Sequence, residues 1–327
     1  MQHLRLVITI LILCFCQMAG AQDFCFVELN CENLFDTRHD TLKNDTEYTP
    51  EGEHHWTRSR YRSKLNNIAR EIIACGGEGE NWVQPDFVAL VEVENDSVLH
   101  DLTKRSLLRK AGYDYVMTDS PDQRGIDVAL LYAANSITVN KHYGIRITPP
   151  SDGKPTRDIL FAECSTPKGI MNVFVVHAPS RAGGKKTTDE YRMIVARRLC
   201  ESIDSIRQND SDANIIVAGD FNDYHDDPAP MEVARHGMKN VSASAQGMNG
   251  AKGTYRYKGE WGSLDQVFMS EPLLNRSENV SCIIFDAPFL TEEETKYGGR
   301  RPHRSFRGPI FDKEGFSDHL PLVVKWK

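Results

Sequence analysis

The sequence predicts an α/β or α+β protein whose sheets are covered on both faces. Three observations lead there. Eight short runs are apolar at nearly every position, so each strand has both faces buried. Two longer stretches carry the i, i+3, i+4 apolar spacing of helices. Gly, Pro, Asp and Asn bound the runs, as turns require.

In chain order, the strand-like runs span 24–30, 87–93, 127–132, 159–164, 171–177, 214–219, 264–269 and 320–326. A first helix over 59–74 gathers Leu65, Ile68, Ala69, Ile72 and Ile73 into one stripe, and Gly76-Gly77 ends it. A second opens on Thr187-Thr188-Asp189-Glu190, a capping-box pattern, and aligns Tyr191, Ile194, Val195, Leu199, Ile203 and Ile206. Polar loops fall at 37–57, 148–157, 181–186 and 291–313. With no repeat and no long biased linker, residues 22–327 read as a single domain.

The first residues read as an export signal. His3 and Arg5 precede an apolar stretch from Leu6 to Cys16, and Ala19-Gly20-Ala21 offers a small-x-small cleavage site before Gln22. Lipid attachment at Cys14 or Cys16 is the weaker alternative, because bulky Leu13 and Phe15 stand where small residues belong. Residues 1–21 are therefore expected to be removed, leaving a periplasmic or secreted protein. No later stretch has the length and apolarity of a transmembrane segment.

Loss of Arg5 with that segment takes the formal charge from −7 to −8. Such a balance argues against a protein that grips nucleic acid through bulk charge, though it allows a local basic groove. Nothing asks for a second subunit, so a monomer is expected. Six cysteines remain after export, and most sit within apolar runs, as in Phe24-Cys25-Phe26-Val27. They read as core residues, with no zinc spacing among them.

Chemistry is concentrated where apolar runs begin or end. Glu92 lies inside Phe87-Val88-Ala89-Leu90-Val91-Glu92-Val93, where an ionised carboxylate is costly unless a cation or an exposed edge accommodates it. Asp220 and Asn222 follow Ile215-Ile216-Val217-Ala218; in extended backbone this spacing aims both side chains to one side. A simple turn is the competing reading. His177 closes Val173-Phe174-Val175-Val176, and Asp265 sits in Leu264-Asp265-Gln266-Val267-Phe268. Ser317-Asp318-His319-Leu320-Pro321 puts a carboxylate beside an imidazole just before the last apolar run. A histidine that moves protons needs an orienting carboxylate, so Asp265 and His319 form a reasonable couple. One Glu, two Asn, three Asp and two His, counting Asn30, suit metal-assisted attack of water on phosphorus. Nucleophile elbows, Gly-rich phosphate cradles and zinc-protease helices are absent from the sequence.

In this order the segments resemble the endonuclease/exonuclease/phosphatase superfamily, and they do so over essentially the whole mature chain. Gly219-Asp220-Phe221-Asn222 and Ser317-Asp318-His319-Leu320-Pro321 are the specific motifs. The resemblance implies a four-layer sandwich of two packed mixed β-sheets flanked by helices, with the site at one end of the sheets. It implies Mg²⁺, with Mn²⁺ or Ca²⁺ as possible substitutes, held chiefly by Glu92 with Asn30 and Asp318 nearby. His319 resembles the histidine that accepts a proton from, or orients, the attacking water, with Asp265 setting its tautomer. Asp220 and Asn222 resemble the pair beside the phosphoryl group, and His177 the histidine that contacts a phosphate oxygen or helps the leaving group.

Histidine at 177 points away from the repair nucleases and toward the deoxyribonuclease, sphingomyelinase and phosphatase branches. Arg181 and Arg124-Gly125-Ile126-Asp127-Val128-Ala129 resemble segments of exported bacterial members, and Arg181 is a candidate substrate contact. The run from Arg300 to Arg307 reads either as a solvated loop or as a phosphate-docking one. The expected activity is nucleic-acid phosphodiester hydrolysis. Phosphatase or phospholipase C-type chemistry at the same site is the alternative, and an inactive binding protein is the third reading. A convincing apolar hairpin for membrane contact is not apparent in the sequence.

Overall fold

The computed structural model describes residues 23–77, 79, 82–150, 153–181 and 184–327. The expected export segment, 1–21, lies outside them. The described chain runs β1 (Phe24–Leu34), α1 (Arg58–Cys75), β2 (Phe87–Val93), α2 (Asp96–Lys104), β3 (Tyr113–Met117), β4 (Asp127–Ala133), β5 (Thr138–Ile145), β6 (Ile159–Thr166) and β7 (Gly169–His177). It continues through α3 (Lys185–Asn209), β8 (Asn214–Asp220), α4 (Pro228–Arg235), β9 (Met238–Asn240), β10 (Tyr255–Tyr257), β11 (Glu260–Gly262), β12 (Asp265–Ser270), α5 (Glu271–Arg276) and β13 (Ser281–Ile284). The small strands β14 (Thr291–Glu293), β15 (Arg300–Pro302), β16 (Phe306–Arg307) and β17 (Ile310–Phe311) precede the last strand, β18 (Leu322–Trp326).

Two six-stranded mixed sheets form, in the orders β13-β18-β1-β2-β4-β3 and β5-β6-β7-β8-β12-β9. Strand β1 runs parallel to β2, and β7 parallel to β8, while the other pairings in the two sheets are antiparallel. The sheets pack face to face through a shared core that includes Phe26, Ala89, Val91, Leu160, Val173 and Ala218. The outer face of the first sheet (Val27, Leu29, Val88) is covered by Leu65, Ile68 and Ile72 of α1. The outer face of the second (Phe161, Phe174, Val217) is covered by Val195, Leu199 and Ile203 of α3. Four layers result, and the unbroken apolar runs are explained by burial of both sheet faces.

Parallel pairing matters for the site. The C-terminal ends of β1, β2, β7 and β8 reach the same end of the sandwich, where the antiparallel β12 begins with Asp265 opposite Asp220. The turn into β18 returns there as well.

Several details differ from the sequence reading. Helix α3 starts at Lys185 behind Gly184, two residues before the capping-box pattern, and no side chain caps it. Thr188 and Asp189 instead bind Arg192, whose Nε also lies 2.9 Å from Asp223 Oδ1. The last strand begins at Leu322, not residue 320, because the Leu320 N–H is drawn off to Thr254 O at 2.8 Å. Strand β5 went unpredicted because it is an exposed edge with a polar middle, Asn140-Lys141-His142. The six described cysteines carry free thiols, five of them buried.

Candidate active site

Asn30, Glu92, His177, Asp220, Asn222, Arg181, Asp318 and His319 line one cavity of about 730 Å³ at the shared strand end. Asp265 stands behind it, buried. Each side chain is placed by a local device.

Glu92 occupies a bulge in β2, with φ of 61°, where the register to β4 slips between Val91 and Val93. The bulge turns its carboxylate out of the sheet and toward the cavity. Oε2 accepts the Asn33 N–H at 3.0 Å, leaving Oε1 3.7 Å from Arg124 Nη2 and 3.8 Å from His177 Nε2. His177 Nε2 is equally 3.8 Å from Asp220 Oδ2. Burial, followed by the charges of Arg157 and Arg124, holds the His177 imidazole well below its ordinary pKa, so it is neutral. Its Nδ1 is buried without a hydrogen-bond partner among the described residues.

Asp220 and Asn222 are brought together differently from the extended geometry expected of them. Strand β8 stops at Asp220, and Asn222 has a left-handed φ of 51°. The Asn222 N–H donates to Asp220 Oδ1 at 2.7 Å, and its Nδ2 donates to Ala178 O at 3.1 Å. The motif is thus a turn and a site at once. Asn30 Nδ2 reaches the other Asp220 oxygen at 3.3 Å. Burial, then the neighbouring charge of Asp265, push Asp220 up to about 7.

His319 Nδ1 lies 2.7 Å from Asp265 Oδ2, which also accepts the Thr254 hydroxyl. With Nδ1 so engaged, Nε2 is the nitrogen left to meet a substrate. Burial alone would strip the imidazole of its proton. The charges of Asp265, Asp318 and Asp220 outweigh it and hold the pKa well above the ordinary value. Ser317 fixes the loop by donating to Asn30 O at 2.6 Å and accepting the His319 N–H at 3.2 Å. Asp318 is 3.7 Å from Arg304 Nη2.

Glu92 and Asp318 offer hard oxygen donors to one cavity, a pair that fits a hard divalent cation, whereas Asn30, expected beside the metal, spends its amide oxygen on the Glu32 N–H at 2.8 Å and turns its Nδ2 to Asp220. Among the described residues, ligand atoms converge within 4.8 Å at Asp220, Asp265 and His319 and again at Glu292, His303 and Asp312. The first of these is the histidine–carboxylate couple. The second is threaded by Arg301 and Arg307 and reads as a salt-bridge network.

Arg181 lines the cavity wall with its guanidinium engaged. Nε donates to Asn222 O and Nη2 to Asp227 Oδ2, both at 2.7 Å, and Cζ stacks 4.2 Å from the centre of the Tyr224 ring. The arginine run is similarly tied down. Arg300 binds Thr291, Arg301 binds Glu292 and Glu294, and Arg307 binds Glu292 and Asp312.

Sequence reading missed two groups of residues. Glu28 of β1 is fully buried, with neither carboxylate oxygen hydrogen-bonded among the described residues. Burial and the charges of Asp265 and Asp220 hold it well above the carboxylate range, hence protonated. Its place inside Phe26-Val27-Glu28-Leu29 was the available signal. Tyr224, Tyr255 and Tyr257 form much of the outer wall. The alternation in Tyr255-Arg256-Tyr257 followed by Lys258-Gly259 marks a hairpin, and both turn residues have left-handed φ, 51° and 88°.

The two-sheet sandwich with polar side chains gathered at one end is matched by the comparisons with known proteins. The model of the Endonuclease/Exonuclease/phosphatase family matches residues 25–327, and the chain belongs to that family. Its members are phosphoester hydrolases that typically depend on a divalent metal. No curated protein matches the chain. Among solved structures, an endonuclease/exonuclease/phosphatase family protein from Bacteroides thetaiotaomicron superposes with a TM-score of 0.57 at 15% identity, over 93% of this chain and 94% of that one. A mannosyl-6-phosphatase from Bacteroides thetaiotaomicron gives 0.57 at 15% identity, over 93% and 99%. The human Nocturnin catalytic domain gives 0.55 at 19% identity, over 94% and 95%. At these identities the likeness is one of fold. Among the described residues, no helix is long and apolar enough to cross a membrane.

Proposed function

We propose that this chain is an exported, Mg²⁺-dependent phosphodiesterase that hydrolyses nucleic-acid-type phosphodiesters by direct attack of water. One observation carries this reading: His177 Nε2 stands 3.8 Å from both Glu92 and Asp220, in the cavity that His319 enters backed by Asp265. That is one anchor for a cation, one carboxylate beside the attack position, and two imidazoles, His177 neutral and His319 protonated.

The water oxygen forms the new bond to phosphorus, and its proton passes to Asp220, whose Oδ1 is pinned by Asn222 while Oδ2 faces the cavity. His319 keeps its proton and donates from Nε2 to a phosphoryl oxygen, stabilising the charge that grows there. Neutral His177 donates from Nε2 to a second oxygen as the ester P–O bond breaks. Glu92, with Asp318, would hold Mg²⁺, while Asn30 steadies Asp220 beside it. Bound there, the ion supplies charge neutralisation for the phosphoryl oxygens and the departing alkoxide.

A second reading, hydrolysis of small phosphoesters, is favoured by the pairing of Arg300, Arg301 and Arg307. With these engaged and the chain acidic, that arginine run offers little free positive charge to hold a long polyanion. The test is turnover of DNA, RNA, bis-nitrophenyl phosphate, sphingomyelin and a monoester, each with Mg²⁺, Mn²⁺ or chelator. Metal-dependent cleavage of the diesters is expected; faster turnover of the monoester, or turnover that survives chelation, would count against it. Export rests on the pattern of residues 1–21 and predicts a mature protein outside the cytoplasm that begins at Gln22, read by terminal sequencing.

A further inference from the structure

The cavity extends well beyond the reacting groups, and its outer wall is built from tyrosines that the hydrolytic chemistry does not use. Tyr255 is tied to the catalytic end: it bridges the His319 backbone in antiparallel fashion, and its ring lies 4.9 Å from the imidazole. Strand alternation then puts Tyr257 on the same face of β10, about 7 Å further out. Arg256 between them points the other way, where it donates to Gly298 O at 2.7 Å and Arg300 O at 2.8 Å and anchors the hairpin from behind.

Tyr224 is set against the same hairpin. A Cβ on Gly262 would come within 2.6 Å of its ring, so glycine is what lets the ring approach. Arg181, itself bonded to Asn222 O, stacks on the ring. Tyr224 and Tyr257 remain 39% and 60% exposed. Two exposed rings are thus indexed, one through Asn222 and one through His319, to the place where phosphorus would sit.

We propose that Tyr224 and Tyr257 form a stacking subsite for a nucleobase attached, through its sugar, to the scissile phosphate. This rests on the phosphoester reading above and names its substrate class. Base faces stack on aromatic side chains without needing sequence-specific partners. Ser180, Lys258 and Glu260 also line the cavity, with Lys258 Nζ 5.2 Å from the centre of the Tyr257 ring, so it is the paired rings, and not a shortage of polar partners, that favour a base over a bare sugar.

The experiment compares thymidine 5′-monophosphate with 2-deoxyribose 5-phosphate and mannose 6-phosphate, as ligands by calorimetry with Mg²⁺ present. The matching 4-nitrophenyl diesters of thymidine and of abasic deoxyribose are compared as substrates. The purified protein should favour the base-bearing member of each pair by roughly fivefold to a hundredfold, the range of one stacked base. Tyr257→Ala and Tyr224→Ala should each pull that ratio toward one, while Tyr257→Phe keeps it. A ratio near one in the unaltered protein, a ratio untouched by both alanine variants, or equal binding of mannose 6-phosphate would overturn the subsite. If no diester is turned over, the phosphodiesterase reading fails by itself, and the binding ratios still judge the subsite.

Discussion

Replacing Asp265 with asparagine removes one charge and nearly preserves the side-chain shape. His319 Nδ1 lies 2.7 Å from the Asp265 carboxylate, within the distance of a charge-assisted hydrogen bond. Such bonds contribute about 1.5–3 kcal/mol. The sign follows from the causes: burial lowers the His319 pKa and Asp265 raises it, so the substitution moves it down. A catalytic group that must carry a proton then loses it at lower pH, and the alkaline limb of the kcat/KM profile moves to lower pH. Asparagine can also present its amide N–H to Nδ1 and turn the tautomer around. A loss of roughly 10²–10⁴ in kcat is therefore expected even at the optimum, the span of one positioned acid or base. The assay is bis-nitrophenyl phosphate turnover from pH 5 to 10, with circular dichroism to verify folding. Turnover within threefold of the unaltered protein, or an alkaline limb that stays in place, would refute the couple.

Three further outcomes follow from the same structure. Glu92→Gln should weaken Mg²⁺ binding by at least about tenfold in a calorimetric titration and cut turnover by at least about a hundredfold; unchanged binding would move the metal site elsewhere. Glu71 is fully buried on α1 with both oxygens unpartnered among the described residues, and burial raises its pKa to about 8. The folded state therefore holds a proton that the unfolded chain releases near pH 4.5, so this contribution is fully present below that pH and is lost as pH rises through 8. Denaturant titrations of Glu71→Gln should show a shallower decline of stability between pH 5 and 8, by up to about 1.4 kcal/mol per pH unit; a slope matching the unaltered protein would contradict the burial argument. Gly219→Ala would place a Cβ 1.9 Å from Val176 O at a φ of 143°, between His177 and Asp220. It should cost roughly 3 kcal/mol or more and lower both the melting temperature and turnover.

The fold was legible wherever burial left a signature in residue type. Doubly buried strands such as β2 and β7 read as unbroken apolar runs, and every reactive side chain identified in the sequence stood at or near the end of one. Exposed or very short strands left no such mark. Strand β5 carries Asn140, Lys141 and His142 because its outer edge meets solvent, and its pairing comes from the backbone of β6. Distance was not legible either. Asp265 and His319 could be matched by chemical need, but the hydrogen bond between residues 54 apart depends on β12 and the turn into β18 reaching the same end of the sandwich. The tyrosine wall was hidden for a related reason: tyrosines in a polar stretch look like loop residues until the hairpin points them into the cavity.

The least legible feature is the one that turns strands into a site. Glu32, Asn33, Glu92 and Asn222 all have left-handed φ, though none is glycine. Such residues are uncommon outside glycine and cost free energy that the surroundings must offset. Here they coincide with the points where β1, β2 and β8 stop behaving as strands and turn side chains toward one cavity. The offset is visible in the contacts: Asn33 N–H to Glu92, Asn222 N–H to Asp220, and Glu32 N–H to the Asn30 amide oxygen at 2.8 Å. The charges obey a parallel logic. Glu92 is matched by Arg124, Asp318 by Arg304 and Asp265 by His319, which leaves Asp220 and Glu28 as the carboxyls without a cation of their own. Both have their pKa pushed up, by burial first and then by neighbouring carboxylates. A site with more buried carboxyls than cations is electrostatically incomplete, and a divalent ion beside Glu92 is the kind of charge that completes it.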